Sequence, residues 1–158
     1  MKKTTKFLVR SAVIAALYAT ITLAIYPLSY GAIQVRVSEA LTILPLFFVE
    51  AIPGLTIGCF LANIPMGAWD MLIGTMATLL ASITTRAVKK VYFGVIPPVI
   101  FNAFLVPIIF LLVGSSTEPY LINVMTVGAG ELISVLALGL PLYFALNRIK
   151  QKRPSLME

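Results

Sequence analysis

Charged residues are scarce in this sequence. Of its 158 residues, 11% are Asp, Glu, Lys or Arg, and 59% are hydrophobic. A soluble domain carries roughly a quarter charged residues, so the composition is that of a chain dissolved in lipid. Together with the long apolar runs, it predicts an all-α integral membrane protein rather than a soluble one.

Several residues and motifs that catalysis would need are missing. The sequence has no histidine, which excludes histidine general bases, proton relays and metal ligands. Cys59 is the single cysteine, so it can form neither an intrachain disulfide nor a CxxC zinc site, and we expect it to pack in the core. The GxxxxGK[ST] phosphate loop and a Ser-His or Cys-His pair are also absent. We therefore expect a protein that is not an enzyme and that has no metal and no cofactor.

The positive charge lies in three short segments. A net charge of +6 could suggest a nucleic-acid partner, but 11 of the 12 basic residues lie in two tails and one loop, and we expect no nucleic acid. The three groups are the N-terminal tail (Lys2, Lys3, Lys6, Arg10), the 86–90 loop (Arg86, Lys89, Lys90) and the C-terminal tail (Arg148, Lys150, Lys152, Arg153). An excess of Lys and Arg in short loops marks the cytoplasmic side. All three basic groups lie on the cytoplasmic side only if the chain crosses the membrane six times. Both termini are then cytoplasmic, and the first helix is not cleaved.

The apolar runs and their breaks place these six spans within a single domain, residues 1–158. The predicted helices cover about 8–27, 38–51, 53–65, 69–86, 93–114 and 120–147. Pro53-Gly54 is read as the turn between the second and third helices. These two helices have ~13 residues each, or ~20 Å, against a hydrocarbon core of ~30 Å. They must therefore tilt little inside the bundle, or the membrane must thin around them.

Polar residues at membrane depth are the candidate site. Ionisable groups there are costly, and each is a functional hypothesis. Glu131 lies ~16 Å into the last helix, close to the midplane, and Asn102 lies at a comparable depth. We predict a cavity open to the outside, lined by the polar candidates Arg36, Glu39, Asn63, Asp70, Asn102 and Glu131. Trp69, beside Asp70, is the candidate for stacking on a flat ligand.

Structural roles remain open for the same residues. Asp70 could complement a helix dipole, Arg36 could simply pair with Glu39, and Asn102 could bridge two helices. Trp69 could belong to an interfacial aromatic belt. Glu50 is expected at the cytoplasmic end, paired with Arg86 or Lys89.

Small residues on the first helix suggest a close helix contact. Ala12 and Ala16 are four residues apart, as are Ala15 and Ala19, and this spacing lets another helix approach closely. The contact could lie inside the bundle or with a separate membrane subunit.

Three blocks of sequence resemble the QueT family. The members of this family are substrate-binding (S) components of energy-coupling factor (ECF) vitamin transporters. They are Gln34-Val-Arg-Val-Ser-Glu-Ala-Leu41, Gly58-Cys-Phe-Leu-Ala-Asn63, and Asp70 followed by Gly74-Thr75-Met-Ala-Thr78. The resemblance implies an S component in the bacterial cell membrane, with a membrane-embedded coupling (T) subunit and two cytoplasmic ATPase subunits as partners. It assigns the faces Ala12/Ala16 and Ala15/Ala19 to coupling-subunit docking, and the loop Leu28–Val37 to a lid.

The substrate implied by the resemblance is a queuosine precursor, a 7-deazaguanine base or queuine. A guanine-like edge offers two adjacent N–H donors that a carboxylate can accept, from Glu131, Glu39 or Asp70. The candidate site has more acids than bases, which favours a neutral or cationic ligand. Three alternatives remain: an S component for riboflavin, thiamine or another vitamin, a proton-coupled transporter using Glu131, and a membrane scaffold without transport.

Overall fold

Six helical segments follow one another along the chain. The computed structural model describes residues 3–29, 35–88 and 90–153, and these contain helices, turns and short irregular stretches but no strand. The segments are α1 (Lys3–Ala24), α2 (Val37–Leu46), α3 (Ala51–Met66), α4 (Asp70–Val88), α5 (Val91–Val113) and α6 (Tyr120–Lys152). A single turn, Tyr26–Ser29, follows α1.

Four of these helices, α1, α4, α5 and α6, are long and apolar enough to cross a membrane, whereas α2 and α3 are shorter. The all-helical membrane architecture is thus confirmed for the described residues. The six-span topology remains a prediction, because it depends on how the two short helices lie in the bilayer.

The shortest segment, α2, is a 3₁₀-helix of ten residues. At ~2.0 Å per residue it extends over ~20 Å, which is longer than the ~15 Å of an α-helix with the same number of residues. Such runs rarely exceed 3–4 residues, so tertiary contacts must support this one. Arg86 provides such a contact at the C-terminal end of α2, where its Nη1 donates to the carbonyl oxygens of Pro45 (3.0 Å) and Leu46 (3.4 Å).

The turn predicted at Pro53-Gly54 is wrong. The chain turns at 47–50, and α3 begins at Ala51. Pro53 lies in the first turn of the helix. The backbone N–H groups of that turn have no partner within the helix, so a proline there costs no hydrogen bond. A Cβ on Gly54 would lie 2.9 Å from both the Cβ of Ile14 and the carbonyl oxygen of Ser11. The glycine therefore permits a close helix contact rather than a turn.

The helices α1 and α3 pack closely against each other in the core. A Cβ on Gly58 would lie 2.8 Å from the Ala15 carbonyl oxygen and from the Tyr18 Cβ. Cys59 is fully buried beside them, as expected. Ala15 and Ala19 are buried inside the bundle, whereas Ala12 and Ala16 are exposed. The two predicted alanine pairs therefore face different surroundings, and the exposed pair alone is available to a partner.

One end of the bundle collects the basic segments, and we call it the basic end. Arg10 forms an ion pair of 3.2 Å with Glu50, Arg86 bonds the end of α2, and Lys150 lies 6.0 Å from the Phe47 ring centre. The two tails and the end of α4 therefore lie on one side, as the charge pattern predicts. Arg86 is wrong as the predicted partner of Glu50, because Glu50 pairs with Arg10. Lys89, the other residue predicted near Glu50, lies outside the described residues.

Two of the long helices contain a π-helical turn. In α4 it forms the first residues, Asp70–Gly74, and in α6 it covers Val135–Gly139. Gly139 lies against α2, because a Cβ there would approach the Ala40 carbonyl oxygen to 3.5 Å. The π turn of α6 thus begins four residues after Glu131 and packs on the segment that carries Glu39.

Candidate functional site

Buried polar side chains from opposite sides of the bundle meet in its interior. We call this group the polar cluster. Its members are Tyr18 on α1, Arg36 just before α2, Glu39 in the first turn of α2, Asn102 on α5 and Glu131 on α6. Each of them is at most 5% exposed, and Tyr18 and Glu39 have no exposed surface. Buried ionisable groups in a membrane protein mark functional positions by default.

Only one carboxylate oxygen of Glu39 accepts a hydrogen bond from the described residues. Its Oε1 accepts a hydrogen bond from the Tyr18 hydroxyl, whereas its Oε2 is buried and accepts none from any residue that the structure describes. Nearby hydroxyls fix the backbone instead, because Thr42 donates to the Glu39 carbonyl oxygen (2.6 Å) and Thr22 and Ser38 share a hydrogen bond of 2.6 Å. The carboxylate is therefore positioned firmly and yet retains an unused acceptor.

Glu131 is buried in the interior of the bundle and meets Asn102 there. The Asn102 Nδ2 donates to Glu131 Oε1 at 3.0 Å, so Asn102 bridges α5 and α6. The Glu131 carboxyl is also close enough to Glu39 to interact with it. Two carboxyl groups thus share one buried site.

Arg36 is the cation of the polar cluster. It is 5% exposed, and its Nε donates to the Ser29 carbonyl oxygen at 3.3 Å. Its charge acts on Glu39, Glu131 and the half-buried Asp70. Three carboxyl groups therefore face one guanidinium, and the excess of acids predicted from the sequence is present in the structure.

A small cavity adjoins the polar cluster. Its lining consists of Arg36, Asn102, Val106, Val127 and Glu131, and the space open to the centre of a water molecule is about 10 Å³. That volume holds about one water molecule, so a bicyclic base can enter only if the surrounding segments separate. A larger hollow of about 250 Å³ lies near the basic end, but apolar side chains of α1 and α2 dominate its lining and the polar cluster is elsewhere.

The other three predicted residues lie apart from this centre. Asn63 is buried at the junction of α3 and α4, where its Nδ2 contacts Cys59 Sγ (3.4 Å) and the Asp70 carbonyl oxygen (3.1 Å). A Cβ on Gly74 would lie 2.7 Å from that Nδ2, so Asn63 is packed firmly between the two helices. Trp69 is 47% exposed. The structure thus joins Arg36, Glu39, Asn102 and Glu131 directly, and links Asp70 to them through charge.

Sequence reasoning missed Tyr18, although it donates to Glu39. A signal was present, because Ser11, Tyr18 and Thr22 follow each other at spacings of seven and four on an otherwise apolar helix, which places them on one face. All three are buried. Part of the predicted lid Leu28–Val37, residues 30–34, lies outside the described residues.

Comparison with known proteins gives one family and one relative. The profile of the QueT transporter family matches residues 8–148. The queuosine precursor transporter QueT of Lactococcus lactis subsp. cremoris is 39% identical over 83 residues, which are 50% of this chain and 49% of that protein. The match therefore covers about half the length of the relative. No solved structure matches the chain.

Proposed function

The chain belongs to the QueT transporter family, and from that premise we propose that it is the substrate-binding membrane subunit of an ATP-driven ECF uptake transporter for a queuosine precursor. The resemblance to the family stated from the sequence is confirmed, and membership of that family supports a role in transport. The observation that carries the proposal is the polar cluster, where Glu39, Glu131 and Asn102 converge at depth beside Arg36.

The chemistry of the polar cluster suits a guanine-like ligand. Such a base presents two adjacent N–H donors, and a carboxylate can accept both in parallel. Glu39 has an unused acceptor for this purpose, and the Asn102 amide can accept and donate. Val106 and Val127 supply apolar surface beside the same cavity for the faces of the ring. In this proposal the half-exposed Trp69 lies on the entry path and stacks on the flat ligand.

The same proposal assigns a side to each end of the molecule. The basic end faces the cytoplasm, since Lys and Arg accumulate there, and the ligand enters from the opposite side. The exposed pair Ala12 and Ala16 on α1 faces the membrane-embedded coupling subunit, which brings the two ATPase subunits. Ala15 and Ala19 support this face from within by packing on α3.

Ligand titration of the purified protein tests the proposal. Trp69 is the single tryptophan, so its fluorescence has one source during titration with 7-aminomethyl-7-deazaguanine and with queuine. We expect saturable quenching in the wild type, its loss in Glu131→Gln, and no change in Glu118→Gln, which alters an exposed carboxylate in a loop. Binding of riboflavin or thiamine in place of both bases would replace the proposed substrate.

The second candidate is a proton-coupled transporter, which the close approach of the Glu39 and Glu131 carboxyl groups favours. Two neighbouring carboxyl groups can share a proton, and such pairs occur in proton pathways. Uptake measured in cells with ATP held constant separates the two candidates. Loss of uptake on addition of an uncoupler would support proton coupling, whereas uptake that follows ATP supports the ECF arrangement.

A further inference from the structure

We propose that the polar cluster selects a ligand by positive charge, and that an ammonium group on the ligand replaces a proton shared by Glu39 and Glu131. This inference rests on the proposed function, because it assumes that the polar cluster is the ligand site. It goes further by naming the feature of the ligand that is recognised and by linking binding to the release of a proton.

The charges around the carboxyl pair are unbalanced. The titratable and charged groups that act on it are Tyr18 from α1, Arg36 before α2 and Cys59 from α3. Asn102, from α5, is neutral. Arg36 is the one cation in this described set, and it also acts on Asp70. A buried carboxylate without a compensating charge is costly, so the pair requires either a proton or an additional cation.

The hydrogen bonds show where that cation would lie. Glu39 Oε2 has no donor among the described residues, and Glu131 uses its Oε1 for Asn102. An ammonium group carries three donors and no acceptor, which suits the Glu39 oxygen that has no donor, beside the carboxyl group of Glu131. The cavity beside Glu131 holds a group the size of one water molecule, which is the size of an ammonium group rather than of a ring.

Binding is then an exchange of one positive charge for another. Before binding, one proton lies between the two carboxyl groups. The ligand enters with its ammonium group protonated and keeps that proton, while the shared proton leaves to water. One carboxylic O–H bond breaks as its proton passes to water, no other covalent bond changes, and one proton is released for each ligand bound.

Isothermal titration calorimetry with a matched pair of probes tests this exchange. The probes are 7-aminomethyl-7-deazaguanine, which is cationic at pH 7, and 7-cyano-7-deazaguanine, which has the same ring edge but no charge. Titration in two buffers of different ionisation enthalpy counts the protons released. We expect about one proton for the cationic probe, none for the neutral probe, and affinity at least about tenfold higher for the cationic probe.

The Glu39→Gln variant locates the effect. It should abolish the proton release and reduce the preference for the cationic probe, while Glu118→Gln should behave as the wild type. The proton count in the wild type stands even if Glu39→Gln does not fold. Equal affinities without proton release would overturn the inference and leave the proposed function intact, whereas failure of both probes to bind would overturn both.

Discussion

Replacing Gly58 by alanine should separate α1 from α3 where α1 carries Tyr18. The added Cβ would lie 2.8 Å from the Ala15 carbonyl oxygen and from the Tyr18 Cβ, whereas ordinary contacts begin at 3.4 Å, so the helices must part by about 0.6 Å. The carbonyl belongs to the backbone and cannot rotate away. The displacement therefore moves Tyr18, whose hydroxyl donates to Glu39.

Two opposing contributions set the size of the effect on stability. Overpacking of a close contact costs about 1–3 kcal/mol, and alanine in a helix interior regains about 1 kcal/mol over glycine. The expected net loss in the free energy of unfolding is therefore about 0–2 kcal/mol. Weakening of the Tyr18 hydrogen bond to a charged group, which contributes about 1.5–3 kcal/mol, should lower ligand affinity by about tenfold or more.

The Gly54→Ala variant is the matched control. It introduces a similar clash, 2.9 Å from the Ile14 Cβ and the Ser11 carbonyl oxygen, but one turn of α3 farther from Tyr18. Thermal unfolding in detergent should show a comparable loss of stability in both variants, and Trp69 fluorescence titration should show weaker binding in Gly58→Ala alone. Equal affinities in the two variants would refute the link between this helix contact and the polar cluster.

Three further predictions concern the rest of the molecule. Arg86→Gln removes the donor to the last carbonyls of α2 and should lower the free energy of unfolding by about 1–3 kcal/mol, measured by thermal unfolding; an unchanged midpoint would contradict this. Ala16→Trp should block uptake and leave ligand binding intact. The control Ala137→Trp, at an exposed alanine of α6, should leave both uptake and binding intact. Loss of ligand binding in Ala16→Trp would argue against docking of the coupling subunit at Ala16. A double-mutant cycle with Arg10→Gln and Glu50→Gln should give a coupling of at most about 1 kcal/mol, because the pair is only partly buried; a coupling that is insensitive to salt would contradict this.

The grouping of basic residues and the relative level of two polar residues are the properties that the sequence predicted well. The grouping of Lys and Arg placed Arg10, Arg86 and Lys150 at one end of the bundle, where the structure has them. Counting residues from the helix ends placed Asn102 and Glu131 at the same depth, and they form a hydrogen bond. Both predictions rest on the cost of charge in lipid, which depends little on the details of packing.

Properties that depend on close packing could not be predicted in the same way. Pro53-Gly54 has the composition of a turn, but Gly54 serves the contact with α1. The true turn at 47–50 contains Phe47, Phe48 and Val49, which have no turn signal. The 3₁₀ geometry of α2 depends on partners such as Arg86, which lies forty residues away in the chain.

The π turn at Val135–Gly139 gives α6 a phase shift. Its i→i+5 hydrogen bonds accommodate one residue more than an α-turn, and one residue corresponds to about 100° of rotation about the helix axis. The π turn therefore separates the rotational orientations of the two halves of α6. One half carries Glu131, and the other runs to Lys152. Deletion of a single residue from the π turn would restore a continuous α-helix and rotate one half of α6 relative to the other. The carboxylate of Glu131 and the C-terminal half of α6 can therefore keep their present orientations only if the number of residues in the π turn is kept.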